Sequence, residues 1–243
     1  MENNYDKDLT FLTQCSNDGL QLLCDFITKD KDGKFRYTET LSITEEYKIN
    51  YPHNMKALIP LMIEELHYFG GNTILNTFRK HGVPYREILE EVCEKLKVNY
   101  NKSNSTSLLE QYLLQKILIM SVDKMKEEDV KHLSSKLTKS SLKDQIHLLK
   151  AGSPVYIRLI TMVVANLAQK AGLKQATGLI AKFAGGRFFA ILTGPIGWTL
   201  SALWTLYDIA GPAYRVLVPA TITIAYLRNT KDLNDDELDD ILR

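Results

Sequence analysis

Residues 188–207 read FFAILTGPIGWTLSALWTLY, 20 consecutive residues without a charge, and both tryptophans of the chain, Trp198 and Trp204, lie among them. Asp208 and Arg215 are the only charges between this run and Arg228. A helix at a protein surface alternates an apolar stripe with a charged face, so a segment apolar on all sides has to be enclosed by protein or to meet lipid. Gly194-Pro195-Ile196-Gly197 interrupts the run near its middle and Gly211-Pro212 interrupts it again. A straight span needs about 20 uninterrupted apolar residues. The breaks therefore predict a hairpin or a broken helix, with arms before Gly194 and after Gly197, followed by a last helix over about residues 213–227 in which Pro219 is the candidate kink.

Working outward, the whole chain of 243 residues has a globular composition, 45% hydrophobic and 24% charged, large enough for a sizeable core. The net charge of +1 conceals an asymmetry. Residues 151–228 carry Arg158, Lys170, Lys174, Lys182, Arg187, Arg215 and Arg228 against Asp208 alone, a net +6, whereas residues 229–243 carry six acids against two bases, a net −4. A basic apolar third followed by an acidic tail points to anionic lipid headgroups, or the tail itself, as what the basic part meets. Cys15, Cys24 and Cys93 are odd in number and lack Cys-x-x-Cys spacing, which argues against a disulfide framework or a zinc knuckle and fits a reducing cytosol. The polar, acidic start MENNYDKDLTF does not have the pattern of a secretory signal, so membrane contact is expected from the cytoplasmic side.

Along the chain the expected elements are helical. Residues 9–14 suit one short helix, and Ser16 caps a second with Leu20, Leu23, Cys24 and Ile27 on one face. Asp30 to Gly33 is a turn. An amphipathic segment near residues 55–69 takes its regular helix from Pro60 and stops at Gly70-Gly71. Asn72 caps a helix to about Lys80, and Pro84 opens another with Ile88, Leu89, Val92 and Leu96 on one stripe. A long, mostly apolar helix is predicted over about residues 108–125, then short polar helices over 127–137 and 141–150. Gly152-Ser153-Pro154 reads as a domain boundary. Asn234 with Glu237 starts a short acidic helix that places Leu238, Ile241 and Leu242 on one face.

Three stretches carry a family resemblance: GPAYRVLVPATITIAYLR (residues 211–228), DLTFLTQCSNDGLQLL (8–23) and EELHYFGGNTILNTFRKHGVPYREILEEVCEKLK (64–97). Together they resemble the YaaW family of bacterial proteins, part of which is similar to the helical ubiquinol-cytochrome c chaperones. The resemblance implies a helical fold and brings no activity, cofactor or catalytic residue with it.

Glu64-x-x-His67 has the spacing of helix-bundle di-iron sites, and Asp129-x-x-His132 and Asp144-x-x-His147 echo it with aspartate. A di-iron centre needs two Glu-x-x-His helices and two further glutamates around one point, and the aspartate versions lie on short Lys-rich segments, so no metal site is expected. AGGR (residues 184–187) is not a phosphate loop, no Gly-x-Ser-x-Gly elbow is present, and the cysteines sit in apolar helical surroundings. The basic residues are interleaved with Ala, Gly and Leu and lack stacking aromatics, a poor footprint for nucleic acid.

The sequence thus predicts an all-α protein without a cofactor: a soluble helical, partner-binding domain over residues 1–150, an apolar, basic, glycine-rich helical hairpin region over 151–228 and an acidic tail over 229–243. The function expected is non-enzymatic. A cytoplasmic protein, peripheral to or inserted in the inner membrane, binds a protein partner there, with anionic lipid and further copies of itself as additional partners and no nucleic acid. Phe188, Phe189, Ile191, Leu192, Ile196, Trp198, Leu200, Leu203 and Trp204 are the expected membrane contacts, and Lys174, Lys182 and Arg187 the contacts to headgroups or tail. Asp208 and Arg215 are expected to pair across the Gly211-Pro212 break, since isolated charges in an apolar segment are costly. Three other readings stay open: a soluble assembly factor or chaperone-like protein with the hairpin as its buried core, a pore-forming effector in stress or phage defence, and a hydrolase with an unrecognised site.

Overall fold

The computed structural model describes residues 6–30, 32–71, 82–124, 126–133, 138–182 and 213–242. These are helical, apart from turns and one isolated antiparallel bridge between Lys29 and Phe35. A 3₁₀ turn at Thr10–Gln14 leads into α1, Asn17–Thr28, which starts where Ser16 Oγ accepts from Gly19 N (3.3 Å). α2 spans Glu45–Asn50, capped by the hydroxyl of Thr44, which accepts from Tyr47 N (3.1 Å). After a short 3₁₀ turn at Leu41–Ile43 ahead of α2, a third, Met55–Leu58, runs straight into α3, Ile59–Gly71. The helix predicted to begin at Asn72 lies outside the described residues. α4 follows as Tyr85–Lys95, with Pro84 at its cap, and then α5, Thr106–Lys124. α6, Glu127–Leu133, and α7, Lys139–His147, are the two short polar helices.

At the triplet Gly152-Ser153-Pro154 a helix starts. Ser153 Oγ accepts from Tyr156 N (3.3 Å) and Pro154 opens α8, Pro154–Lys170, where its missing N–H costs nothing. α9, Gln175–Lys182, folds back along α8. After residues 183–212, which lie outside the described residues, come α10, Tyr214–Thr230, and α11, Asp235–Leu242. The start of α11 has the reciprocal form expected: Glu237 N donates to Asn234 Oδ1 and Asn234 N to Glu237 Oε2, both at 2.9 Å.

α10 is the axis of the molecule. It packs against α1, α8, α5, α4 and α3, and every residue from Val216 to Leu227 is buried. Each fully buried Val, Leu or Ile contributes about 1.5–3 kcal/mol relative to exposure. Two threonines in this apolar helix are fully buried, yet neither hydroxyl is orphaned. Thr223 Oγ1 donates to Pro219 O (2.8 Å) and Thr221 Oγ1 to Val218 O (2.9 Å), carbonyls of their own helix. The helix continues through Pro219. Gly19 of α1 permits a close approach to it, because a Cβ there would stand 2.5 Å from Leu227 Cδ2. The core is continuous from Leu9 to Leu242 and draws on both sides of residue 150.

The apolar flanks α8 and α10 therefore spend their surface on the protein itself. Among the described residues no helix is long and apolar enough to cross a membrane.

Candidate functional site

Three polar assemblies stand out against this core, and the first is the bolt that fixes α10. Arg228, at the end of the apolar run, reaches the carboxylate of Glu110 with two bonds, Nε to Oε2 at 2.8 Å and Nη2 to Oε1 at 3.1 Å. Its Nη2 also donates to Asp8 O (2.8 Å), and its guanidinium lies 4.1 Å from the centre of the Phe11 ring. Tyr85 OH donates to Glu110 Oε1 (2.8 Å). Glu110 is buried in the second turn of α5, where burial pushes its pKa above the ordinary value and the Arg228 charge, with the bonds from Arg228 and Tyr85, offsets part of that rise. The N-terminal turn, α4, α5 and α10 thus meet at one charged pair.

A cleft of about 1070 Å³ opens beside the N-terminal segment, lined by Asp6, Glu64, His67, Tyr68, Arg86 and Ser105 among others. Asp6 Oδ2 lies 3.1 Å from His67 Nε2 and accepts from Tyr85 N at 2.6 Å, while its Oδ1 accepts from Asp8 N at 3.0 Å. Burial raises the Asp6 carboxyl, but the bonds from His67 and the two backbone N–H groups outweigh it, and the pKa falls below its ordinary value. Gly82, in the left-handed region with φ +69°, lets the chain pass His67: a Cβ at that position would meet His67 Cβ at 2.7 Å. Arg86 is fully employed in the wall. It binds Glu90 Oε1 (2.7 Å), Asn104 O (2.7 Å) and Lys102 O (3.2 Å), pinning the loop before α5. Ser105 Oγ accepts from Leu108 N (3.3 Å), a capping role.

The third assembly joins the acidic tail to the basic region. Lys182, at the end of α9, pairs with Asp239 at 2.7 Å and Asp235 at 3.4 Å of α11. Arg158 of α8 donates from Nε to Ile241 O (2.7 Å) and from Nη2 to the same oxygen, satisfying a carbonyl that the helix end leaves open. Leu238 and Leu242 are buried beneath, and Ile241 packs partly buried against the same core.

Of the residues singled out in the sequence, Lys174 is exposed, Lys182 holds the tail, and Arg215 is half-buried in the first turn of α10. Arg187, Asp208 and the membrane-contact set Phe188, Phe189, Ile191, Leu192, Ile196, Trp198, Leu200, Leu203 and Trp204 lie outside the described residues. His67 of the Glu64-x-x-His67 pair binds Asp6, and Asp144 and His147 are exposed; among the described residues no three His, Cys, Asp or Glu side chains are grouped to hold a metal. All three thiols are buried, which pushes Cys15 up to about 11, Cys93 to about 12 and Cys24 higher still. Sequence reasoning missed the partners Asp6–His67 and Glu110–Arg228. For the second, a signal was present: each is a lone charge set in or at the end of an apolar run.

Comparison with known proteins places this architecture. A family model described as "Ubiquinol-cytochrome C chaperone" matches residues 59–222, and one described as "Domain of unknown function (DUF3944)" matches residues 4–37. A "UPF0174 protein" of Helicobacter pylori is 37% identical over 249 residues, covering 98% of this chain and 97% of the relative. The "UPF0174 protein YaaW" of Escherichia coli is 32% identical over 248 residues, covering 94% and 97%. No solved structure matches. The chain belongs to the UPF0174 family, that of YaaW, and across residues 59–222 to the helical family described as ubiquinol-cytochrome C chaperone.

Proposed function

We propose that this chain is a non-enzymatic, chaperone-like helical protein that holds a protein partner at the cytoplasmic face of the inner membrane. The observation that carries the reading is the match of residues 59–222, from α3 to the middle of α10, to a family described as a chaperone. The polar groups of the body are consistent with it: Arg86, Ser105, Asp6 and Arg228 are committed to fixing backbone and helices, and the thiols are buried. The membrane part of the proposal rests on sequence. Residues 188–207 carry no charge, and Lys174, Lys182 and Arg187 precede them, an apolar segment with a cationic flank. Under this reading Phe188, Trp198, Trp204 and their neighbours contact lipid or the apolar surface of the partner.

A second reading has its own support. The burial of α8 and α10 within the protein favours an assembly factor that keeps the whole region to itself and meets its client without lipid.

Two measurements on the full chain separate them. One is membrane fractionation with a carbonate wash, for the wild type and Trp198→Asp/Trp204→Asp. The other is light scattering of an unfolded membrane protein diluted into buffer with and without the chain. Carbonate-resistant wild type, a washed-off variant and suppressed aggregation are the expected results. A chain that stays soluble yet suppresses aggregation leaves the assembly-factor reading. Neither property would overturn both.

A further inference from the structure

The seat of the acidic helix is chemically odd for a permanent contact. α8, α9 and the turn between them carry Arg158, Lys170, Lys174 and Lys182 and no acid, so every acidic partner on this face has to come from elsewhere. α11 supplies it. The ion pairs of this contact are shallow, since Asp235 is 95% exposed and Asp239 32%, and exposed ion pairs contribute little in water; the rest is held by Leu238, Leu242 and the Arg158 bonds to Ile241 O. What lies beneath α11 is a groove with cations at its rim and room for Leu238 and Leu242. One turn before Arg158 on α8, Val155 faces solvent, and so does Leu148 in the loop that precedes the helix, with the exposed Lys150 between them in sequence. Cations alternating with exposed aliphatic groups match the interface of an anionic bilayer, where headgroups take the charges and the acyl boundary takes the side chains. Lys182 is also the last residue of α9, five residues before Arg187 and the uncharged run. The acidic helix grips the base of the segment to which the membrane role is assigned.

We propose that the α8–α9 groove is a displaceable seat, occupied by α11 at rest and by an anionic membrane surface when α11 leaves. The proposal rests on the membrane reading above and adds its control: Asp235 and Asp239 compete with headgroup phosphates for Lys182, and Leu238 and Leu242 with acyl chains for the groove. Because the competition is for the same groups, binding to lipid and docking of the tail exclude one another.

The test is flotation of the full chain with phosphatidylcholine vesicles, with and without phosphatidylglycerol, for the wild type, Asp235→Asn/Asp239→Asn and Lys174→Gln, together with amide exchange of residues 235–242. Removing the two ion pairs is expected to raise affinity for the anionic vesicles roughly two- to tenfold, without affecting neutral ones. Lys174→Gln, at an exposed position that forms no ion pair with the tail among the described residues, is expected to lower it roughly fivefold. Adding anionic vesicles to the wild type is expected to speed exchange in α11. Asp235→Glu/Asp239→Glu should restore wild-type binding, which distinguishes loss of the pairs from loss of the fold. If wild type and Asn variant bind anionic vesicles equally, the latch is overturned and the membrane reading stands. If neither binds, both fall. If a peptide of residues 231–243 binds the Asn variant while vesicles do not, the groove takes an acidic helix of a protein and the proposal is overturned in favour of that partner.

Discussion

Replacing Glu110 by Gln removes one charge and almost no volume, which makes it the sharpest probe of the bolt that holds α10. The guanidinium of Arg228 would keep its bond to Asp8 O and its place against Phe11, but the introduced amide nitrogen would set a donor against a donor where a carboxylate oxygen had accepted. Removing one partner of a buried ion pair costs about 3–5 kcal/mol, because the other charge is left uncompensated. The Arg228 side chain retains 20% exposure, so water recovers part of that loss. A cost of about 3 kcal/mol is expected, which for a chain of this length lowers Tm by about 6–12 °C. Tyr85→Phe removes a neutral donor to the same carboxylate and is expected to cost about 1.5–3 kcal/mol. The double variant Glu110→Leu/Arg228→Met should recover at least half of the single-variant loss, since it leaves no buried charge behind. The assay is urea unfolding followed by far-UV circular dichroism, with unchanged slopes as the condition for comparing free energies. A loss below about 0.5 kcal/mol for Glu110→Gln, the range of ordinary surface substitutions, would refute the view that this pair locks the fold.

Three further outcomes follow from the same geometry. Asp6→Asn should cost about 1–2 kcal/mol at neutral pH through weakened bonds to His67 and Tyr85 N; because the folded pKa of Asp6 lies below 3.8, its stabilisation is present above that pH and disappears as pH falls through the folded value, so the gap between wild type and variant should close in acid unfolding curves. Gly19→Ala puts a methyl group 2.5 Å from Leu227 Cδ2 and should cost about 1–3 kcal/mol in the same urea assay, while Gly82→Ala should be destabilised both by its φ and by His67. The three thiols should resist Ellman's reagent at pH 8 in the native chain and all react once urea unfolds it, since burial holds Cys15 and Cys93 protonated to about 11 and 12.

Local chemistry was legible in the sequence. Ser16 and the Asn234–Glu237 pair start helices where their side chains reach the first free N–H groups, within three residues of themselves, whereas Ser153-Pro154, which does the same, reads in the sequence only as a boundary. α2 was not read, because in EEYKIN only Tyr47 is buried and no apolar stripe marks the period. α1 buries far more than the single face expected of it, Leu22 and Phe26 included, because it packs against both α3 and α10. What the sequence withheld was pairing across distance. His67 and Asp6 are 61 positions apart, and Glu110 and Arg228 are 118 apart. The cost of a lone charge in an apolar run was evident for Asp208 and Arg215, and the same cost applies to Glu110 and Arg228, but which cation meets which carboxylate is decided only when α5 and α10 pack. The opposed charges of tail and basic region were likewise plain, whereas the seat of α11 depends on α9 folding back along α8.

The bond from Arg228 to Asp8 O spans 220 positions, and this has a consequence for synthesis. A growing chain emerges from its N-terminus at about 5–20 residues per second, so α1, α3, α4 and α5 leave the ribosome well before the helix they enclose. Until α10 is free of the exit tunnel, Glu110 has no cation and the groove among those helices has no occupant. The nascent N-terminal half therefore waits as an open apolar surface, and any product that stops short of residue 228 stays that way, a ready substrate for holdases and proteases.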